Sequence, residues 1–554
     1  MGSDANQPSP TPTADRPKTR GEILLSSALG GRLRSAAFGG LLRAMWLFPL
    51  DVAFRVLGLR FAWLRALFTY SPPTMLEFLG RLRAERAAFR AIRRVPAYRR
   101  FVREQGIRAD EAWPLGILHT LPETDKHSYI DRYSLEDRCV DGRFPFPGTT
   151  IDELSGSTGR PYDWIRGQRE RGIAHRNIGF FTHYILGDAP LITINAFSMG
   201  AWAAGINTHQ GMNRHGVVKS TGADLEKVFS TLHLLGPGYR YAICGYPPFL
   251  KRLLDEGTAA GFPWQRYELH GLVGGEGMAE GLRDYLLEHF RSVYSGYGAT
   301  DLEVGMAAES PVSVAIRRLA RAEPEVRGAL FGDGSRLPMV FQYNPLIHFM
   351  EINGHSEVVT TVSRLDLLAP RIRYNVLDEG GIASFRRVRA VLGEHGYDLM
   401  HLGREPVTHG PHGRLPWTAP VPLPFLWIFG RRDATISIMG ANIYPEDVET
   451  SVYARPEVAV RVRSFQLAVV QDEAANPRPG VLLELAEGVT VDDAWRDEQA
   501  AHIRDVLASL SRDYRTSYDE FPAAMLPIVR TFAEGSGPFA GDTGRIKQRR
   551  IAPD

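Results

Sequence analysis

From Tyr70 onward, stretches with apolar residues at helical spacing alternate with short runs that read as strands, and this alternation constrains the fold more than any other feature. Such a chain packs helices onto a sheet, so an α/β architecture is expected. A basic helix is expected at 82–103, broken at Pro96, whose ring and missing N–H interrupt a helical run. Strands are expected at 191–194, 272–273 and 357–362, and the second leads into a helix bearing Leu282, Tyr285, Leu286, His289 and Phe290. Between Gly380 and Phe425 lies a Gly-, Pro-, His- and Arg-rich stretch with no strong period in its second half. It is long for a structureless loop and reads as a lid or a subdomain. Past Gly430 the pattern changes to strands at 436–439, 467–471 and 481–485, the last two around a turn at 476–480. Helices are expected at 445–453 and through Ile503, Val506, Leu507 and Leu510. This is the make-up of a small α+β unit, with its boundary near Asp433.

The chain of 554 residues exceeds one ordinary core, which agrees with more than one domain. Lys+Arg 65 against Asp+Glu 63 offers no electrostatic argument for a nucleic-acid partner. The two cysteines, Cys139 and Cys244, are too few for a disulfide framework or a Cys-rich zinc site, and a reducing cytoplasm fits them. Residues 1–20, rich in Ser, Pro, Thr and Asp, read as a disordered lead-in. Residues 21–70 form an apolar extension interrupted by Arg32, Arg34, Arg43, Arg55, Arg60 and Arg65. Its best window for a membrane span, 41–59, holds Arg43, Pro49, Asp51 and Arg55, and each charge at a bilayer centre costs roughly 2.5–3.5 kcal/mol, which argues against spanning. Two readings remain, a basic amphipathic segment on a membrane surface and helices packed on the body, and the second is the expectation.

The sharpest local motif is SGSTGRP at 155–161. Gly156 and Gly159 let backbone N–H groups turn toward an anion, Ser155, Ser157 and Thr158 add hydroxyls, and Arg160 adds fixed charge. A Gly/Ser turn would look the same in isolation. GGEG at 274–277, with Gly275 and Glu276 at its centre, follows a strand and precedes a helix, but it lacks the final glycine of a dinucleotide fingerprint. GYGATD at 296–301 sets Tyr297, Gly298, Thr300 and Asp301 close together, a ring, a hydroxyl and a carboxylate suited to a base, a phosphate and Mg²⁺. YNVLD at 374–378 carries Asp378, expected just beyond a β-rich run. GRRD at 430–433 precedes MGANIYP at 439–445, and GDTGRIK at 541–547 forms a basic terminal loop.

In this order the motifs resemble those of the adenylate-forming enzymes, which include acyl-CoA synthetases, peptide-synthetase adenylation domains and luciferases. The nearest likeness is to the phenylacetate–CoA ligase branch. That branch's SSGTTGKP loop is matched at 155–161 with Ser for Thr and Arg for Lys, its GAEP by 274–277, its YGxS/TE by 297–301, and its GRxD and GxNxxP by 430–445. Its YRTGD is echoed only at Tyr374 and Asp378. The likeness spans about residue 82 to the C-terminus. It implies a large N-terminal multi-sheet α/β domain (71–432, with an insertion near 380–425) and a small mobile C-terminal α+β domain (433–554), joined by a hinge at Asp433.

The resemblance also implies roles. Ser155, Gly156, Ser157, Thr158, Gly159 and Arg160 would hold the ATP phosphates, Thr300 the α-phosphate, and Asp301 a Mg²⁺ in place of the family's Glu. Gly275, Glu276, Tyr297 and Gly298 would line adenine, Asp378 and Arg431 the ribose, and Asn195, Phe197 and Gly200 the acid. The family's catalytic lysine follows a glycine; here Gly544 is followed by Arg545, with Lys547 two residues on, and Lys547 is preferred. His401, His409 and His412 in the insertion read as surface histidines rather than metal ligands. The expected activity is ATP-dependent adenylation of a small acid, aromatic or otherwise apolar, with transfer to a thiol such as coenzyme A. Transfer to an amine or a cofactor, and a catalytically reduced nucleotide-binding regulator, stay open beside it.

Overall fold

A computed structural model describes Leu47, Pro49 and residues 51–54, 56–107, 118–154, 162–199, 203–332, 336–402, 419–431, 436–438, 441–472, 477–520, 522–540 and 551–552. Strands β1 (Thr150–Leu154) and β2 (Tyr162–Arg166) form an antiparallel pair in which Leu154 faces Tyr162. Eleven strands then build the central sheet: β3 (Ile192–Asn195), β4 (Val217–Ser220), β5 (Arg240–Gly245), β6 (Glu268–Gly274), β7 (Ser292–Ala299), β8 (Glu303–Ala308), β9 (Met339–Tyr343), β10 (His348–Ile352), β11 (Glu357–Val362), β12 (Tyr374–Ala383) and β13 (Phe425–Arg431). Their order is β10-β11-β12-β13-β9-β8-β7-β6-β5-β3-β4.

The sheet has two halves. From β4 through β3, β5 and β6 to β7 every pairing is parallel, and helices such as Leu225–Leu235 and Pro247–Ala259 make the crossovers. Strands covered on both faces lose the alternation of a half-exposed sheet: all four residues of β3 are buried. From β7 to β10 every pairing is antiparallel. A second, smaller α+β unit follows, with β14 (Ile436–Ile438) paired to β15 (Ala441–Ile443) and a sheet of β16 (Val462–Gln471), β17 (Pro477–Leu485) and β18 (Ile528–Phe532). Helices Pro445–Val452 and Asp493–Leu510 pack there. The expected boundary residue, Asp433, lies outside the described residues.

Several local expectations are refined. The basic helix divides at Val95, the residue before Pro96, into Pro73–Arg94 and Pro96–Glu104. The helix after β6 spans only Glu280–Leu286, because the chain must turn back for Arg291 to donate its N–H to Leu269. Asp378 lies inside β12 rather than beyond a strand. The 380–425 stretch begins as the rest of β12 and then the helix Phe385–Glu394, capped by the Ser384 hydroxyl and burying Phe385, Val388, Val391 and Leu392. Its residues 403–418 lie outside the described ones, as do His409 and His412; His401 pairs with Asp398 at 2.6 Å. At 476–480 the expected turn gives way to β17, which begins at Pro477. At the N-terminal side, helix Phe61–Tyr70 sinks Leu64 and Phe68 against Phe180, Phe181 and Tyr184 of helix Gln168–Leu186. Among the described residues no helix is long and apolar enough to cross a membrane.

Candidate active site

A cavity of about 580 Å³ opens where the C-terminal ends of β5, β6 and β7 converge. Clefts of open parallel sheets form at these ends because the connecting loops diverge there. One wall is apolar: Phe197, Met212, Cys244, Tyr246 and Tyr294 belong to a single buried cluster and all face the cavity. Phe197 and Tyr246 meet edge to face, with ring centroids 5.1 Å apart. Burial pushes the Cys244 thiol up to about 12, so it stays protonated and acts as a small apolar group.

The opposite chemistry comes from β7 and the loop after it. At Gly298 a Cβ would meet the Glu303 carbonyl and the Gly305 nitrogen at 2.7 Å, so only glycine lets β7 and β8 close at this point. Tyr297, one residue earlier, faces the cavity, tilts against Phe341 with centroids 5.6 Å apart and donates its hydroxyl to Asp378 Oδ2 at 2.6 Å. Burial and the adjoining carboxylate hold the Tyr297 phenol well above its ordinary value, so it remains a donor. Asp378 is presented by a distorted piece of β12. Leu377 has φ +67°, its N–H is taken by Asn375 Oδ1 at 2.7 Å, and the register against β13 slips between Glu379 and Gly380. A branched residue at positive φ is strained, and here the strain turns Asp378 toward the site. Arg431 is the register partner of Asp378 across β12 and β13.

Thr300 and Asp301 sit on a loop fixed from behind. Arg166 donates to the carbonyls of Thr300 and Leu302, the latter at 2.7 Å, and Arg371 donates to Leu302 at 2.7 Å. Glu170 joins both guanidinium groups, at 3.1 Å and 2.8 Å. Asp301 is buried; its Oδ2 accepts from the Tyr374 hydroxyl at 3.0 Å and lies 3.5 Å from Lys126 Nζ. Its Oδ1 is buried with no hydrogen-bond partner among the described residues. A carboxylate with one satisfied and one orphaned buried oxygen suits a divalent cation, which takes oxygen ligands, so these residues fit the expected Mg²⁺.

The structure thus brings Gly275, Glu276, Tyr297, Gly298, Thr300, Asp301, Asp378 and Phe197 to one cavity. Asn195 stands apart from its lining: fully buried, it donates to the Gly205 carbonyl at 2.9 Å and to Ser220 at 3.1 Å, and so shapes the turn carrying Phe197. Tyr374, at the start of the YNVLD segment, is 1 % exposed and donates its hydroxyl to Asp301. Ser155, Gly156, Ser157, Thr158, Gly159, Arg160, Gly200, Asp433, Arg545 and Lys547 lie outside the described residues. Sequence reading missed Lys126, which lies 5.6 Å from the Tyr162 ring centroid as well as beside Asp301. Its one sequence signal is rarity: the chain has only six lysines, so a lysine amid so many arginines invites a specific role. Also missed were Glu446 and Asp447, which line the cavity from the first turn of helix Pro445–Val452.

No family model and no curated protein matches the chain. Among solved structures it is similar to 2-hydroxyisobutyryl-CoA ligase in the postadenylation state bound to R3-HIB-AMP, with TM-score 0.62 and 16% identity over 88% of this chain and 92% of that one. The same ligase bound to 2-HIB-AMP gives TM-score 0.61, again at 16% identity over 88% and 92%. With its parallel–antiparallel sheet, its cleft at the strand ends and its smaller C-terminal α+β unit, the chain has the fold of the adenylate-forming ligases.

Proposed function

We propose that this protein is an ATP-dependent ligase that converts a small apolar carboxylic acid into its acyl-adenylate, releasing pyrophosphate, and then passes the acyl group to a thiol such as coenzyme A. One observation carries the reading: the apolar wall of Phe197, Tyr246 and Tyr294 and the polar group of Tyr297, Thr300, Asp301 and Asp378 share a single cavity. An acid's hydrocarbon part fits the first and a nucleotide the second. An aromatic acid, as in phenylacetate–CoA ligases, suits the aromatic wall.

In this mechanism Tyr297 and Phe341 flank the base, Asp378 accepts from ribose hydroxyls, and the 155–160 loop with Arg160 holds the departing phosphates. Asp301 would hold Mg²⁺, which neutralises charge on the phosphoryl oxygens. A carboxylate oxygen of the acid attacks the α-phosphorus, the bond to pyrophosphate breaks, and Thr300 orients the α-phosphate. Positioning and fixed positive charge supply most of the acceleration. Lys126 lies beside Asp301 to contribute charge, and Lys547 or Arg545 would add a cation when the small mobile domain closes about its hinge at Asp433. The thiol then attacks the mixed anhydride and AMP leaves. Cys139 and Cys244 are free and buried, which supports a reducing, cytoplasmic setting.

The deciding experiment is pyrophosphate release screened across carboxylic acids, with and without coenzyme A. Acid-dependent release followed by thioester formation is expected. Release without thioester, but with amide in the presence of amines, would replace the acceptor. No release with any acid would overturn adenylation.

A further inference from the structure

Three hydroxyls stand in the apolar part of the cavity with nothing in the protein to bind. The phenols of Tyr246 and Tyr294 and the hydroxyl of Thr208 belong to cavity-lining residues that are only 6 %, 6 % and 8 % exposed. None of the three has a hydrogen-bond partner among the described residues, and none is an oxygen sealed inside protein. Other buried hydroxyls are engaged within the chain. Tyr267 donates to the Leu232 carbonyl at 3.3 Å and Tyr514 to the Met525 carbonyl at 2.6 Å. Thr182, which lines the same cavity, donates to the Ile178 carbonyl of its own helix at 3.0 Å. Thr208, on the adjoining helix Ala203–Met212, makes no such bond.

The surroundings supply no substitute. Tyr246 and Tyr294 share one buried cluster with Phe197, Met212 and Cys244, and Met212 lies one turn beyond Thr208 on the same helix face. A polar group left unpaired in such a place is costly, so the three hydroxyls point to an oxygen brought by a ligand. Burial, and at Tyr246 also the Glu276 carboxylate, holds both phenols well above their ordinary value, so both remain donors. A substrate hydroxyl has the matching capacity: its lone pairs accept from the two phenols and its hydrogen goes to the Thr208 oxygen. The rings of Phe197 and Tyr246, edge to face at 5.1 Å, offer aromatic surface to the ring that would carry it.

We propose that the acid activated here is an aromatic acid bearing a ring hydroxyl, and that Tyr246, Tyr294 and Thr208 select it by binding that hydroxyl. The inference rests on the adenylation reading and narrows its substrate from apolar acids at large to hydroxylated aromatic ones. An unsubstituted ring would fill the same space and leave the three hydroxyls unpaired. A site built around a substrate hydroxyl rejects the analogue without it for that reason.

The test measures binding of benzoate, phenylacetate and their ring-hydroxylated forms to the full chain by titration calorimetry, beside pyrophosphate release with the same acids. At least one hydroxylated acid should bind about 10²-fold more tightly than its unsubstituted parent. Tyr246→Phe and Tyr294→Phe keep the rings and should each reduce that ratio roughly tenfold. Thr208→Val, which keeps the side chain's shape, reads the same ratio should a tyrosine variant fail to fold. Equal affinities for the two members of every pair would mean that water serves the three hydroxyls, and would overturn the proposal. Variants that weaken both members alike would overturn it too, because packing would then explain the loss. Binding needs no turnover, so the two readings fail separately. A hydroxyl preference without pyrophosphate release supports the selection and overturns adenylation, whereas release without the preference overturns the selection alone.

Discussion

Tyr297 and Asp378, carried by strands β7 and β12 and far apart in the chain, are joined by a 2.6 Å hydrogen bond from phenol to carboxylate. The ring that flanks the cavity and the acid proposed to grip a sugar therefore act as one rigid unit. Asp378→Ala should weaken ATP binding by on the order of 1.5–3 kcal/mol, the value of a hydrogen bond to a charged group. Tyr297→Phe keeps the ring and should cost less. Titration calorimetry with ATP checks both, and an unchanged affinity in Asp378→Ala would remove that residue from the site.

Lys126 and Asp301 make the second test. Lys126→Ala removes a positive charge 3.5 Å from the Asp301 carboxylate, a like charge beside the proposed Mg²⁺ site, so the variant should reach half-maximal pyrophosphate release at less Mg²⁺ while its maximal rate falls. Lys547→Ala should slow adenylation itself by roughly 10²–10³ while leaving transfer from supplied acyl-adenylate nearly unchanged. The Mg²⁺ dependence of pyrophosphate release distinguishes the two lysines, and an assay of transfer alone shows that both act in the first half-reaction. Arg545→Ala is assayed beside Lys547→Ala, and if neither slows adenylation the proposed cation from the terminal loop is wrong.

Behind the 274–277 segment lies a buried ionic knot. Arg283 is fully buried and bridges Glu280 at 3.0 Å and Glu309 at 2.6 Å, and Arg317 reaches Glu280 at 2.8 Å. Arg283→Ala would strand carboxylates in the core and should cost about 3–5 kcal/mol. Urea unfolding of parent and variant reads this directly, and a loss within the error of the measurement would mean the knot relaxes.

Glu446 and Asp447 give stability a pH dependence. Burial pushes their carboxyls up to about 7 and about 6. The folded state therefore binds these protons more tightly than the unfolded chain does, and their contribution is fully present below the ordinary carboxylate range. It is lost as pH rises through 6 and 7, by on the order of 2–3 kcal/mol per group. Glu446→Gln/Asp447→Asn should flatten that part of the stability curve between pH 4 and pH 8. Parallel curves for parent and variant would contradict it.

Much of this was legible in the sequence because it is local chemistry. β11 was expected at 357–362 and spans Glu357–Val362, since EVVTTV is apolar and β-branched enough to read as a buried strand. The GYGATD motif supplied Tyr297, Thr300 and Asp301 to the cavity, because its glycine and side chains act within one hairpin. The partner of Tyr374 was not legible for the opposite reason. Its hydroxyl reaches Asp301 only because β12 is folded beside the 300–302 loop.

By itself the sequence determined the α/β alternation, the smaller C-terminal α+β unit and the identities of the glycines, hydroxyls and carboxylates, all set by period, propensity and side-chain type. Tertiary structure alone decided that Lys126 meets Asp301, that Tyr297 is tied to Asp378, that Glu446 and Asp447 line the cavity, and that Thr208, Tyr246 and Tyr294 share it. Those pairings depend on strand order and helix docking, which bring together side chains remote in sequence, and no local pattern of residues records such distances.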